Sequence, residues 1–188
     1  PRIGKLFLNA GPGYGGSCLP KDMKALINFA KTTGINPTLL NAVEEINTKQ
    51  LEQIILMIKE KLGDLGTKKI TILGTAFKPD TDDIRDSIAI ELIKKLLKKK
   101  AKIIIHDPKA MKNTQRIFKE KINYAKTIKD ALSKSECVII MTQWKQYEKL
   151  NNNQFKYMTK KFVIDCRRML VKKQLDVDYF AIGLGKKN

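Results

Sequence analysis

Between Pro37 and Gly63 the apolar residues fall on one side of a helix. Leu40, Val43, Leu51, Ile54, Ile58 and Leu62, with Asn47 among them, recur at three- and four-residue intervals, and Leu39, Ile46 and Ile55 widen the stripe. Asn36 reads as an N-cap, Pro37 as a first-turn residue and Gly63 as a stop. The pattern predicts one helix of about 25 residues, roughly 38 Å long. In a chain of 188 residues, such a helix either bridges domains or packs on a partner, or it is a core helix of a single domain. Amphipathicity alone supports both readings.

From Lys69 the period changes. Ile70–Leu73, Lys102–His106, Cys137–Met141 and Phe162–Asp165 are short runs rich in β-branched residues, separated by helical patterns at Ser87–Leu97 and Ile128–Ser133. Strands alternating with helices imply a parallel sheet covered on both faces. The predicted architecture is α/β: a helical segment with a long central helix over residues 1–66, then a doubly wound parallel sheet over 67–188. Asn151–Lys161 reads as a polar connection between elements.

In such sheets ligands bind beyond the carboxyl ends of the strands. There the sequence places a long turn, Gly74 to Asp86, followed by Asp107-Pro108, Thr142-Gln-Trp144 and Cys166-Arg-Arg168. Lys78, Arg85, Arg167 and Arg168 are therefore candidates to converge on a phosphate-bearing ligand. The competing reading pairs these cations with Asp82, Asp83 and Asp86.

The clearest chemical signal precedes the long helix. Gly11-Pro-Gly-Tyr-Gly-Gly-Ser-Cys-Leu-Pro-Lys-Asp22 sets one cysteine between a glycine-rich loop and a helix start, where Pro20 suits the first turn and Asp22 the positive helix end. Met23, Leu26, Ile27 and Ala30 continue at helical spacing. A thiol at a helix N-terminus ionises more readily than a free one, which makes Cys18 a candidate nucleophile. Position alone also fits a small buried hydrophobe. Gly11, Gly13, Gly15 and Gly16 remove side chains where backbone must approach a ligand or adopt positive φ. They formally satisfy the dinucleotide fingerprint G-x-G-x-x-G, but that motif needs a buried strand before it, and Ile3–Leu8 is a poor one.

Composition narrows the function classes. The three cysteines, Cys18, Cys137 and Cys166, lie far apart without metal-ligand spacing, and His106 is the lone histidine. This fits a reduced, cytoplasmic protein without a metal site. No apolar run is long enough to span a bilayer, and no signal peptide is visible. The chain opens on Pro1 rather than methionine, which points to a piece of a longer protein. Its formal charge of +18 favours polyanions. The lysines, however, are spread along helix faces and ends without interleaved aromatics or a nucleic-acid module, so no specific nucleic-acid partner is expected.

Taken together, Arg2-Ile-Gly, GPGYGGSCLPKD, the long helix, GTAFKPDTDDIRDS, His106-Asp-Pro, Thr142-Gln-Trp and Asp165-Cys-Arg-Arg resemble the UDP-glucose/GDP-mannose dehydrogenase family, most closely its UDP-glucose branch. The resemblance covers nearly the whole chain. It implies a Rossmann-like second domain and oxidation of the C6 alcohol of UDP-glucose to UDP-glucuronate with two NAD. Cys18 matches the family nucleophile, which passes through a thiohemiacetal and a thioester, and Asp22 matches the aspartate that orders water. Asn9, Ala10, Gly11, Pro12, Gly13, Tyr14 and Gly15 match the loop around the nucleotide sugar. Phe77, Lys78 and Arg167 match contacts from the second domain, and Arg2 one that crosses a subunit boundary. Cys18, Leu19, Pro20, Lys21 and Arg85 match positions touching NAD. The resemblance also implies a homodimer through helix 38–62, and expects no turnover from this chain alone, since the family's N-terminal NAD-binding domain and the rest of its catalytic residues are missing. Cys166 stands where many relatives have glycine and reads as a packed strand-end thiol; Cys137 reads as core. Dehydrogenation of UDP-N-acetyl-hexosamine or GDP-mannose is the alternative within the family. A non-catalytic nucleotide-sugar or polyanion-binding module is the alternative outside it.

Overall fold

The computed structural model describes residues 4, 8–171 and 173–184. Two helices, α1 (Leu19–Thr32) and α2 (Thr38–Leu62), precede an alternating array. It runs β1 (Lys69–Leu73), α3 (Ile88–Lys98), β2 (Lys102–His106), α4 (Met111–Phe118), β3 (Asn123–Tyr124), α5 (Ile128–Leu132), β4 (Cys137–Ile140), α6 (Asn152–Phe155), β5 (Phe162–Asp165) and β6 (Asp178–Ala181). The strands form one sheet in the order β3-β2-β1-β4-β5-β6, every pair parallel. The chain direction across the sheet reverses between β1 and β4, which opens a crevice beyond their carboxyl ends.

Both sheet faces are covered, as the β-branched strands require. One layer of core joins Ile70, Ile72, Ile103, Ile105 and Ile139 to α3, and the other packs Leu73, Val138, Ile140 and Val163 against Trp144, Tyr147 and Phe155. Cys137 and Cys166 are buried in the first layer.

The long helix divides into a half packed on the sheet and a half with exposed apolar residues. Leu51, Ile54, Ile55, Ile58 and Leu62 are buried in the sheet's core, each worth about 1.5–3 kcal/mol if fully withdrawn from water. In the other half Leu39 is 76% and Ile46 59% exposed. Phe29 of α1 is 64% exposed as well.

The helix begins one residue later than the sequence implies. Pro37 rather than Asn36 occupies the cap position, because its carbonyl accepts the first helical bond, from Asn41 N–H. The sheet also holds two strands, β3 and β6, beyond the four expected, and α4 links β2 to β3. Asn151–Lys161 includes α6, a single turn closed by a capping box between Asn151 and Gln154.

Candidate functional site

Two buried aspartates build the edge on which the site rests. Asp107, just after β2, accepts from Thr75 N–H (2.6 Å), Ala76 N–H (3.0 Å) and Trp144 Nε1–H (3.3 Å) through one oxygen, and from Lys109 and Ala110 N–H through the other. It thereby ties together the loops that follow β1, β2 and β4. Asp165, ending β5, does the same for Arg167 N–H, Leu170 N–H and the Tyr179 hydroxyl. Further bonds, Thr142 Oγ1–H to Ala76 O (2.6 Å) and Ser87 Oγ–H to Thr75 O (2.7 Å), close the β1 loop. Gly74 takes φ +91°, and a Cβ there would meet Thr142 at 2.4 Å, so the β1 and β4 loops touch only because position 74 is glycine.

The glycine-rich loop folds onto this edge. Pro12, Gly13 and Gly15 face Ala76, Phe77, Met141 and Arg167 across a narrow crevice. A side chain at Gly11 would collide with the Arg167 guanidinium, at 2.6 Å. One at Gly15 would strike the Asp86 carbonyl at 2.3 Å, and one at Gly16 the Phe77 ring at 2.6 Å. The glycines thus allow close backbone approach to the sheet domain, and Gly13 and Gly16 also adopt positive φ. The loop leads into α1, and most of Ile3–Leu8, the stretch that would have to supply the strand before a dinucleotide turn, lies outside the described residues.

Arg167 is the charge of the crevice. Its Nε–H donates to Met141 O (2.8 Å), and among the described residues its terminal nitrogens make no hydrogen bond. Burial lowers the guanidinium pKa, with Cys166 and Asp165 opposing the shift. A half-buried fork with open donors suits a phosphate or carboxylate. Lys78 lies 5.5 Å over the Phe77 ring centroid.

The other two candidate arginines are engaged away from the crevice. Arg85 is gripped by Asp83 (Nη2–Oδ2 2.7 Å) and is exposed, so it pairs locally instead of lining the crevice. That hydrogen bond raises its pKa. Arg168 donates to the Ile182 carbonyl.

Cys18 is exposed at the N-cap of α1, with Ser17 Oγ 3.7 Å from its sulfur. Pro20 lies in the first turn, and Asp22 N–H bonds the Cys18 carbonyl. Asp22 and Lys21 form an exposed pair at 3.2 Å, and Leu19 is exposed beside them. Asn9 and Ala10 lead into the loop without joining the crevice lining, and Arg2 lies outside the described residues.

Asn47 and the aspartates Asp107 and Asp165 were not legible as site residues. Asn47 sits in the apolar stripe of α2, yet both its amide atoms bond the main chain of Tyr14. Only its polarity at a stripe position signalled it.

A larger open depression lies at the opposite edge of the sheet, lined by Lys61, Lys160, Lys161 and Phe162. Its lysines pair with Asp178, Glu136 and Asp176 respectively. Among the described residues no group of His, Cys, Asp and Glu is arranged to hold a metal ion, and no helix is long and apolar enough to cross a membrane.

Comparison with known proteins agrees with this geometry. Residues 71–172 match the UDP binding domain of the UDP-glucose/GDP-mannose dehydrogenase family, and residues 1–49 match its central domain. The UDP-glucose 6-dehydrogenase AglM of Haloferax volcanii is 40% identical over 96% of this chain and 41% of its own length. The UDP-glucose 6-dehydrogenase TuaD of Bacillus subtilis is 33% identical over 97% of this chain and 40% of its own length. A UDP-glucose dehydrogenase structure from Pyrobaculum islandicum superposes with a TM-score of 0.85 at 34% identity, over 95% of this chain and 40% of that one. The chain spans about two fifths of the length of the curated relatives it matches.

Proposed function

The chain belongs to the UDP-glucose/GDP-mannose dehydrogenase family, and from that premise we propose that it supplies the nucleophile and the nucleotide edge of an NAD-dependent UDP-glucose 6-dehydrogenase. One observation carries the reading: the loop that ends in Cys18 is seated on the sheet's switch point, with Gly11 against the Arg167 guanidinium and Gly16 against Phe77. In this reading Arg167 holds a phosphate oxygen, and Phe77 and Lys78 bracket the nucleotide. Asn9 to Gly15 enclose the sugar, and Arg2 reaches it from a neighbouring subunit. Residues 1–66 contribute the thiol loop and the assembly helix, and residues 67–188 the nucleotide edge.

The chemistry then falls to Cys18. Its sulfur adds to the C6 aldehyde carbon, and the resulting thiohemiacetal keeps the substrate in place. After oxidation the same sulfur holds the acyl group as a thioester, until water releases the carboxylate. Covalent capture divides one difficult oxidation into easier steps. In this reading Asp22, one turn into the helix, orders that water.

NAD, when bound, supplies the hydride acceptor for each oxidation. The residues assigned to it fit one side of a dinucleotide: Leu19 offers exposed apolar surface, and Lys21 and Arg85 offer exposed cations beside the thiol. They do not make a complete dinucleotide site, so this chain alone is expected not to turn over. Three free thiols support a reducing, cytoplasmic location. The exposed half of α2 supports assembly as a homodimer.

The test is competitive alkylation. Iodoacetamide should label Cys18 well before the buried Cys137 and Cys166, and saturating UDP-glucose should slow the Cys18 reaction. Labelling of Cys18 that ignores UDP-glucose would separate the thiol from the nucleotide-sugar site and overturn the reading.

A further inference from the structure

The middle of the glycine loop is held by a helix that carries none of the residues assigned above. Asn47 on α2 accepts Tyr14 N–H at Oδ1 (2.8 Å) and donates Nδ2–H to the Tyr14 carbonyl (3.1 Å). One side chain thus satisfies both main-chain groups of one loop residue, as a neighbouring strand would. Three residues earlier on the same helix face, Glu44 accepts from the Tyr14 hydroxyl. Burial, and then the Glu44 carboxylate, push the Tyr14 pKa up, so the phenol stays protonated and remains a donor. Gly13 completes the fit: it takes φ +119°, and a Cβ there would lie 2.5 Å from Asn47 Oδ1. The loop closes on Asn47 only because position 13 has no side chain.

We infer that Asn47 is a positioning residue for the sugar of the bound nucleotide sugar, acting through the Tyr14 backbone. The inference rests on the function proposed above. The loop's ends are registered by Gly11 against Arg167 and Gly16 against Phe77. Its centre, Gly13–Tyr14, is registered by Asn47. The nucleotide is gripped from the sheet edge by Arg167 and Phe77, whereas the sugar must lie on the loop side for C6 to reach Cys18. Releasing the centre therefore disturbs the sugar and leaves the nucleotide in place. A role confined to stability would lower the melting temperature without altering the preference for UDP-glucose over UDP.

Calorimetry of UDP and UDP-glucose with the wild-type chain, Asn47→Ala and Asn47→Asp reads that preference. Asn47→Ala should weaken UDP-glucose about tenfold, the scale of two lost hydrogen bonds, and change UDP by less than about twofold. Asn47→Asp keeps the acceptor for Tyr14 N–H but loses the donor, so its preference should fall between the other two. If Asn47→Ala fails to fold, Asn47→Asp decides alone, with a wild-type preference overturning the inference. A preference kept by Asn47→Ala overturns it as well. So does a wild-type chain that binds UDP and UDP-glucose equally, since the loop would then give Asn47 nothing to position. A wild-type chain that binds neither nucleotide overturns the proposed function itself.

Discussion

At the scale of single residues, the site depends on groups whose polarity is fully committed. His106 shows the consequence for stability. It is 7% exposed, and its Nδ1 lies 2.9 Å from the Tyr147 hydroxyl, which gives its own proton to the His106 carbonyl at 2.8 Å. With the Tyr147 proton on that carbonyl, Nδ1 is assigned as the donor to the Tyr147 oxygen. Burial depresses its pKa below the ordinary 6.5, with Asp107 opposing weakly. The unfolded chain takes up this proton near pH 6.5 and the folded chain only at lower pH. Stability contributed by His106 is therefore present above the unfolded value, falls as pH drops below it, and levels off beneath the folded value. Urea midpoints between pH 7.5 and 5 should show this decline, and His106→Gln should lessen it. A His106→Gln profile identical to wild type would contradict the assignment. Residue chemistry of this kind was only partly visible beforehand. Cys18 and the glycines could be read because their types are unusual at such spacing, and Arg167 because it follows a strand. Nothing local distinguished it from Arg85, which Asp83 captures, or from Arg168, which the Ile182 carbonyl captures.

At the scale of elements, sequence legibility follows burial. Strands β1, β2, β4 and β5 read plainly because they lie inside the sheet and are mostly or wholly buried. The edge strands β3 and β6 escaped because β3 spans two residues and both strands lie partly open to solvent, with mixed residues that carry no buried-strand pattern. Helix α6 escaped because a single turn fixed by side-chain caps leaves no periodicity to detect. Helix α2 was found as an element, but its division was not, since the apolar stripe continues unchanged from the exposed Leu39 and Ile46 to the buried Ile54 and Ile58. These exposed apolar side chains support the proposed assembly through α2. The wild-type chain should therefore self-associate at micromolar concentration in sedimentation experiments. Leu39→Asp with Ile46→Asp should yield a monomer whose unfolding free energy changes by no more than about 0.5 kcal/mol per site, as at other exposed positions. A wild-type chain that sediments as a strict monomer would contradict assembly through α2.

At the scale of the whole molecule, the sheet's strand order turns separate signals into one site. The carboxyl ends of β1, β4 and β5 bring Phe77, Met141 and Arg167 together, although they are far apart in sequence. The glycine loop, more than 60 residues before Phe77, then closes over them. This convergence explains why spacing alone left the site open: it identifies strand ends but not which of them meet. It also separates the crevice from the overall charge of +18, which is distributed across lysine-rich surfaces while the crevice relies on one half-buried guanidinium. Calorimetric titration of the chain with UDP-glucose, beside mixed-sequence DNA and the Arg167→Ala variant, tests this claim most directly. The expected result is saturable one-site binding of UDP-glucose that Arg167→Ala weakens by tenfold or more, the scale of a lost charge-assisted pair, with no comparable affinity for DNA. Binding to DNA alone, falling steeply with salt, would contradict the nucleotide-sugar site and make bulk charge the operative property of the chain.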